Sequence, residues 1–567
     1  MPKMKLYSLT DFPDDCSRVC YTREMLDSMV GKLCELGVSR AYFQYYGGLE
    51  DDYMWNSENK NWKTMNETAR LMPRMSKNFV DTCKKYGLET AGVMRPHEQG
   101  HWLAFSPFHG KSSKKEIPNV GGRIIDPSSF LREHPELRIK RRSYDIDSDA
   151  LNKTIATIRL YKQNNLPTRI KKENVTLYTS PDNSYYKPYT GTFSFRITEA
   201  IAEDDTVTAQ GTFAESYSTK VICHKGDPIL VIEISGLNIE DRYVAVGVRA
   251  DGECSPEERF VNTYVNGIAC FDPDGQKICA TPGGTNWQTM GGGSYLDEGF
   301  HFDDGFGTYK EVVLDPDGKE GFFAIAKGKN EYNHAALCEC EPLVQKNWFS
   351  YLDRAIDDGY DFIGNRIECH SVMIDEPFAY GYNDCIKELY FKRYGQCDES
   401  EINLSKLSHL RGNVYSELFA KGAKEVRKRG RKVYATLNIE MLHNPIPTAR
   451  QLAYPMNVEW QWERWLEEIR PDEINFRMYQ CTPEFLLTDP QCKRMLEMAK
   501  SYNVPLTVER CITPKLTEEY ALLNETGLFD ALILYETDCI FDATDEGEIK
   551  IKENSPVLNL RRYLDAQ

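Results

Sequence analysis

The sequence predicts an α/β protein: a (β/α)8 TIM barrel interrupted by an inserted all-β, jelly-roll-like sandwich domain. Three observations carry this prediction. Strand-like and helix-like segments alternate in both outer parts of the chain, giving eight strand patterns in all. Several of the helical patterns end at glycine, as a helix entering a parallel βα repeat commonly does. Between about 148 and 335 no convincing helix is legible, and short alternating runs are separated by clusters of Asp, Asn, Gly and Pro.

In order along the chain, MKLYSLTDF reads as a strand and REMLDSMVGKLCELG as an amphipathic helix stopped by glycine. SRAYFQYYGG is a strand, RMSKNFVDTCKKYG a helix and LETAGVMRPHE the third strand. The middle segment then supplies TIATIRLYK, NVTLYTS, GTFSFRIT, DPILVIEIS and RYVAVGVRA as short strands. The α/β rhythm resumes with helix EPLVQKNWFSYLDRAIDDG and strand DFIGNRIECHS, followed by two helical stretches and strand RKVYATLNIE. A Trp-rich helix, NVEWQWERWLEEI, precedes strand DEINFRMYQ. Helix DPQCKRMLEMAKSYN precedes VPLTVERCI, and LTEEYALLNETG precedes DALILYETD. Every strand but the last is followed by a clear helical pattern. The expected organisation is 1–147 for the first barrel part with strands 1–3, 148–335 for the inserted domain, and 336–567 for strands 4–8. An open doubly wound sheet fits less well, because no glycine-rich phosphate turn follows the first strand.

The 567 residues exceed one ordinary core, which agrees with more than one domain. A net charge of −17 argues against nucleic acid and anionic membrane surfaces as partners. The absence of an apolar run near the N-terminus or elsewhere leads us to expect no signal peptide, no membrane span and a cytoplasmic location. Seventeen cysteines without paired CxxC spacing fit reduced thiols; Cys338 and Cys340 are the closest pair. No HExxH, EF-hand, P-loop or GxSxG pattern is present, so no cofactor and no metal are expected. Asp375, Glu376 and His370 have only generic ligand spacing. Aromatic content is 12%, with 33 Tyr, which suits stacking on sugar rings as well as β cores.

In a barrel the site lies at the C-terminal strand ends, and alternate residues of each strand face the axis. If Val504, Leu506 and Val508 pack outward, Thr507 and Glu509 face inward. The same rule turns Asn475, Arg477 and Tyr479 inward, and Thr436, Asn438 and Glu440. In RIECHS it turns Arg366, Glu368 and His370 to the axis. The early strands place Asp11, Gln44, Tyr46, Arg95 and His97 near the mouth. The last strand leaves open whether Tyr535 or Glu536 faces in. Two carboxylates across a pocket are what glycoside hydrolysis requires: one to protonate the leaving oxygen, one to attack or to activate water.

The glutamates on the fourth and seventh strands resemble those of the clan of TIM-barrel retaining glycosidases. That resemblance implies Glu368 as acid/base and Glu509 as nucleophile, although Ile367 stands where the clan usually has asparagine. HPELRIKRRS, EPLVQKNWFSYLDRAIDDGYDFIGNRIECHS and FAYGYNDCIKELYFKRYG, with Gly381-Tyr382-Asn383 and Arg393-Tyr394-Gly395, resemble a group of bacterial family-ten-like glycoside hydrolases. NVTLYTSPDNSYYKPY and ISGLNIEDRYVAVGV are similar to discoidin-like jelly rolls. The resulting expectation is a glycosidase acting on small oligosaccharides or glycosides, with Glu368, Glu509, His370 and Glu536 as catalytic candidates. Asp11, Tyr46, Arg95, His97, Arg366, Asn438, Glu440, Arg477 and Tyr479 are the expected substrate contacts. Arginines 95, 366, 477 and 510 point to an anionic sugar. A sugar lyase or a non-catalytic carbohydrate-binding barrel is the alternative, and homo-oligomerisation stays open. Trp460 or Trp462 is a candidate sugar contact, with core packing as the plainer reading.

Overall fold

The computed structural model describes residues 3–16, 19–45, 62–102, 125–146, 148–162, 164–168, 170–182, 186–203, 205–210, 218–249, 265–280, 295–296, 299–300, 320–367, 379–439, 458–478, 481–544 and 546–567. Eight parallel strands form a closed barrel: Lys5–Thr10 (β1), Val38–Tyr45 (β2), Glu89–Met94 (β3), Phe362–Asn365 (β4), Lys432–Asn438 (β5), Glu473–Met478 (β6), Leu506–Cys511 (β7) and Ala531–Tyr535 (β8). Pairing of β8 with β1, Lys5 opposite Ala531, completes the ring. The expected (β/α)8 barrel is therefore the fold; seven of the strands lie inside the segments that the alternation marked, and β2 begins one residue before its segment, at Val38.

The two faces of the barrel wall separate as a period of two demands. Phe43, Ile363, Val433, Leu437, Phe476, Val508 and Leu534 join the large outer core beneath the helices. Tyr7, Leu9, Tyr42, Ala91, Val93, Phe362, Tyr434, Ala531, Ile533 and Tyr535 form a second cluster inside the ring. Gly364 belongs to the inner face of β4. A Cβ there would come within 2.5 Å of the Tyr434 ring and of its carbonyl oxygen, so a larger residue would push β4 off β5.

The outer layer includes Arg23–Glu35 (α1), Met75–Lys85 (α2), Pro342–Asp358 (α3), Asp384–Tyr394 (α4), Leu404–Lys428 (α5), Pro490–Ser501 (α6), Leu516–Thr526 (α7) and Pro556–Asp565 (α8). In α1 the apolar stripe Met25, Leu26, Met29, Val30, Leu33 is buried, and the Thr22 hydroxyl accepts from Met25 N at 3.3 Å to cap the first turn. Helix α8 was not expected from the sequence. It starts with proline at its first position and buries only Val557 and Leu560, a short apolar signal. It packs against α7, so the eighth strand also has its covering helix.

Between β3 and β4 the chain forms further sheets, all antiparallel. One has five strands in the order Ser194–Ile201, Pro228–Ile239, Ile155–Lys162, Val265–Phe271, Lys277–Ala280. Another has four: Glu320–Ala326, Tyr243–Arg249, Val175–Ser180, Lys187–Pro188. All five runs singled out in the sequence are strands here. A short helix at Ser148–Asn152 and a 3-10 turn at Lys172–Asn174 are the departures from an all-β reading among the described residues. Entry and exit of the segment are tied together, because Arg138–Lys140 pairs antiparallel with Tyr332–Leu337.

Candidate functional site

Polar side chains gather at the C-terminal half of the barrel interior. Gln44 on β2 is a hub: its Oε1 accepts from Arg95 Nη1 at 3.2 Å and from Arg366 Nη1 at 3.3 Å. Its Nε2 donates to Asp11 Oδ2 at 3.0 Å. One amide thereby links residues at the tops of β1, β2, β3 and β4, with its oxygen towards the cations and its nitrogen towards the carboxylate. All four are buried. Arg95 also pairs with Glu98. Arg366 occupies the inward place expected for it, two residues beyond Gly364.

Across the ring, Glu509 on β7 is 3% exposed. Arg477 Nη1 on β6 donates to its Oε1, and Asn475 Nδ2 donates to its Oε2 at 3.2 Å. The two carboxylate oxygens have different partners, so Glu509 is not held in a two-pronged arginine fork. Arg477 in turn lies under the ring of Tyr535 on β8, its guanidinium carbon 4.7 Å from the ring centre. That contact resolves the register of the last strand: Tyr535 faces the axis. Glu536 follows directly and is buried, at 9% exposure. Asn438, at the end of β5, is also buried and stands opposite Arg477 in the strand register.

Other expected residues sit elsewhere. His97 does not line the mouth. After Arg95 the chain turns, with Glu98 N donating to Arg95 O at 3.0 Å, and the alternation ends. The imidazole lies stacked on Tyr415 of α5 and edge-on to Trp348 of α3, with ring centres 5.7 and 5.0 Å apart. Arg510 is likewise outside the pocket. It faces the helices, forks onto Glu519 of α7 at 2.7 and 2.8 Å, and donates to the Met478 and Cys481 carbonyls. Trp462 and Trp465 are buried in the outer core, with Trp460 packed against it; Trp465 Nε1 donates to Ser416 Oγ at 2.9 Å. The core reading of this Trp-rich segment therefore holds over the sugar-contact reading. Glu368, His370, Tyr46, Glu440 and Tyr479, and the trio's Asp375 and Glu376, lie outside the described residues.

Burial depresses the His97 pKa from 6.5 to about 4, with Arg411 adding to the effect and Glu339 opposing it. The unfolded chain binds this proton between pH 6.5 and 4 while the native protein does not. Stability is therefore full above pH 6.5 and falls as pH drops towards 4, by on the order of 3 kcal/mol. His97→Phe should flatten this part of the stability profile in denaturant titrations at a series of pH values. Equal slopes in the two proteins would refute the assignment.

Beneath the mouth is a polar floor that the strand alternation could have included. Glu473 opens the inward series Glu473, Asn475, Arg477 on β6. It receives Arg40 and the Tyr42 hydroxyl from β2, and Arg40 reaches Glu89 at 2.8 Å. Burial raises the Glu473 pKa, against the pull of Arg40 and its hydrogen bonds. Burial also raises the Tyr42 and Tyr434 phenols well above 10, so both are donors; Tyr434 donates to Gly92 O at 3.1 Å. A separate cavity of ≈ 110 Å³ lies on the other side of the wall, lined among others by Met94, Trp348, Ile363, Tyr415, Leu418 and Phe419. Its apolar lining belongs to the packing of α3 and α5 on β3 and β4.

No protein-family model matches the chain, nor does any curated protein sequence. Among solved structures it is similar to the catalytic domain of β-amylase from Paenibacillus polymyxa, with 8% identity, a TM-score of 0.39, and coverage of 99% of this chain and 98% of that one. It is also similar to the β-galactosidase of the Antarctic haloarchaeon Halorubrum lacusprofundi, with 9% identity, a TM-score of 0.34, and coverage of 94% and 52%. A third is the PgaB (BpsB) glycoside hydrolase domain from Bordetella bronchiseptica, with 10% identity, a TM-score of 0.24, and coverage of 35% and 59%. Among the described residues no helix is long and apolar enough to cross a membrane.

Proposed function

We propose that the protein is a glycoside hydrolase acting on small oligosaccharides or glycosides that carry an acidic sugar, with Glu509 and Glu368 as its two carboxylates. The observation that carries this reading is Glu509 itself. It is a buried carboxylate on the inner face of the seventh strand, held at one oxygen by Arg477 and at the other by Asn475. Such a clamp fixes the direction in which a nucleophile presents itself. Glu368 follows Arg366 by two residues in the sequence. In the reaction this implies, Glu368 protonates the leaving oxygen while Glu509 attacks the anomeric carbon. Water then attacks the glycosyl-enzyme ester, giving its proton to Glu368, and Glu509 departs as carboxylate.

A product-detected screen over neutral, uronic and sialic glycosides tests the reading. Release of an acidic sugar supports it. Binding without turnover in calorimetry would overturn it in favour of a binding barrel, and an unsaturated product absorbing in the ultraviolet would overturn it in favour of a lyase.

Arg366 and Arg95, which share the Gln44 carbonyl, support the acidic-sugar part. Removing a buried charge-assisted contact costs about 2–5 kcal/mol. Arg366→Ala should therefore raise KM for an acidic glycoside at least about thirtyfold. An unchanged KM, or better use of a neutral glycoside by the wild-type enzyme, would count against an anionic substrate.

A further inference from the structure

The chain leaves the inserted segment through Tyr332–Leu337 and enters α3 at Pro342. The four residues between make a tight turn, Glu341 N donating to Cys338 O at 3.2 Å. This turn carries Cys338, Cys340 and Glu341. Facing it is Cys385, in the first turn of α4, contributed by a distant part of the chain. Cys338 Sγ lies 3.8 Å from Cys385 Sγ, and Cys385 Sγ lies 3.2 Å from Glu341 Oε1. The ligand atoms of Cys338, Glu341 and Cys385 all fall within 4.8 Å of one another. The Cys340 thiol is a further neighbour of Cys385. Cys338 is buried, and Cys340, Glu341 and Cys385 are partly so.

We propose that Cys338, Cys385 and Glu341 form a structural binding site for a thiophilic divalent cation, Zn2+ in the first instance. Two thiolates on a tetrahedral zinc with Zn–S bonds of about 2.3 Å are about 3.8 Å apart, which is the separation seen. The 3.2 Å between sulfur and carboxylate oxygen is the length of a thiol–carboxylate hydrogen bond, and it opens by a few tenths of an ångström when a metal replaces the proton. Binding transfers the proton of each coordinating thiol to solvent and leaves the oxidation states unchanged. A disulfide between Cys338 and Cys385 would give no role to Glu341, whereas a cation uses all three groups.

Cys385 is the second residue of an eleven-residue helix, where the free backbone N–H groups favour a negative sulfur. The site would staple three elements at one point: the strand leaving the insertion, α3 before β4, and α4. The sequence led to no expectation of a metal, because Cys338 and Cys340 alone do not make a recognisable motif and Cys385 joins them only through the fold.

The full-length protein, kept in a phosphine reductant and stripped with a chelator, is titrated with Zn2+ and separately with Co2+. The expected result is one equivalent of either ion per chain. Co2+ should give thiolate charge-transfer absorption in the near ultraviolet with the strong visible bands of a tetrahedral centre. Zn2+ should raise the melting midpoint by several degrees. Cys385→Ser should abolish stoichiometric binding and the charge-transfer band, Glu341→Gln should weaken binding at least tenfold, and Cys34→Ser on α1 should bind as wild type. Should Cys338 variants not fold, Cys385→Ser and Glu341→Gln still decide the matter. Absence of a one-equivalent site in the reduced protein, retention of it in Cys385→Ser, or a Cys338–Cys385 disulfide in mass mapping would each overturn the proposal.

Discussion

Glu509→Gln is expected to lower kcat by about 10⁴-fold, the scale seen when one member of a catalytic unit is removed, while leaving the barrel intact. Glutamine is the right probe because the carboxylate is buried between Arg477 and Asn475. Alanine would leave the Arg477 guanidinium without its partner and mix a stability loss of about 3–5 kcal/mol into the result. Glutamine keeps an acceptor for Arg477 and fills the same volume, so the loss reports chemistry. Azide should restore rate to Glu509→Ala with a suitably activated substrate, because a small anion can occupy the space left by the carboxylate. The product's anomeric form then tells whether the two carboxylates act at about 5–5.5 Å, by double displacement, or at about 6.5–9.5 Å, by a single inverting step. Near-normal turnover in Glu509→Gln would move the role to Glu536, and Glu536→Gln would then have to show the loss.

Much of this arrangement was legible because β5, β6 and β7 alternate cleanly. Val433, Leu437, Phe476 and Val508 are outward, and that alone forces Asn438, Arg477 and Glu509 to the axis. Extended towards the strand starts, the same alternation also turns Glu473 on β6 and Tyr42 and Arg40 on β2 inward. It fails where its premise fails. His97 lies inside the turn closed by Glu98 N on Arg95 O, so its distance of two from Arg95 no longer means a shared face. ALILY on β8 is apolar throughout, so its register shows only in the fold, where Ala531, Ile533 and Tyr535 join the inner cluster and Tyr535 meets Arg477. The Cys338–Cys385 cluster and the Glu339–Arg411 pair join distant parts of the chain, which no local pattern can join.

That pair carries the other large effect. Arg411 of α5 places Nε 2.6 Å from Glu339 Oε1 and Nη2 2.8 Å from Oε2, and both side chains have no exposed surface. Burial pushes the Glu339 carboxyl up, but Arg411 and the hydrogen bonds outweigh it and hold the group below its usual range. Burial acts to lower the Arg411 pKa, and Glu339 more than reverses this. The surrounding structure is shaped for the guanidinium. Gly381 has φ of +103°, and a Cβ on it would lie 2.8 Å from Arg411 Nη1. Removing either partner leaves an uncompensated charge in the interior, so Glu339→Leu and Arg411→Leu should each cost about 3–5 kcal/mol. The double variant should recover a large part of that loss, since two apolar residues leave nothing unpaired. Because the depressed Glu339 pKa makes its contribution present above the unfolded carboxyl pKa and lost as pH falls through the folded one, the wild-type advantage over the double variant should shrink in acid. Denaturant titrations of the four proteins at fixed metal content, at neutral pH and at about pH 4, measure both effects. Single variants within 1 kcal/mol of wild type, at neutral pH, would mean that water reaches the pair and that α5 is not anchored to the 338–341 turn through it.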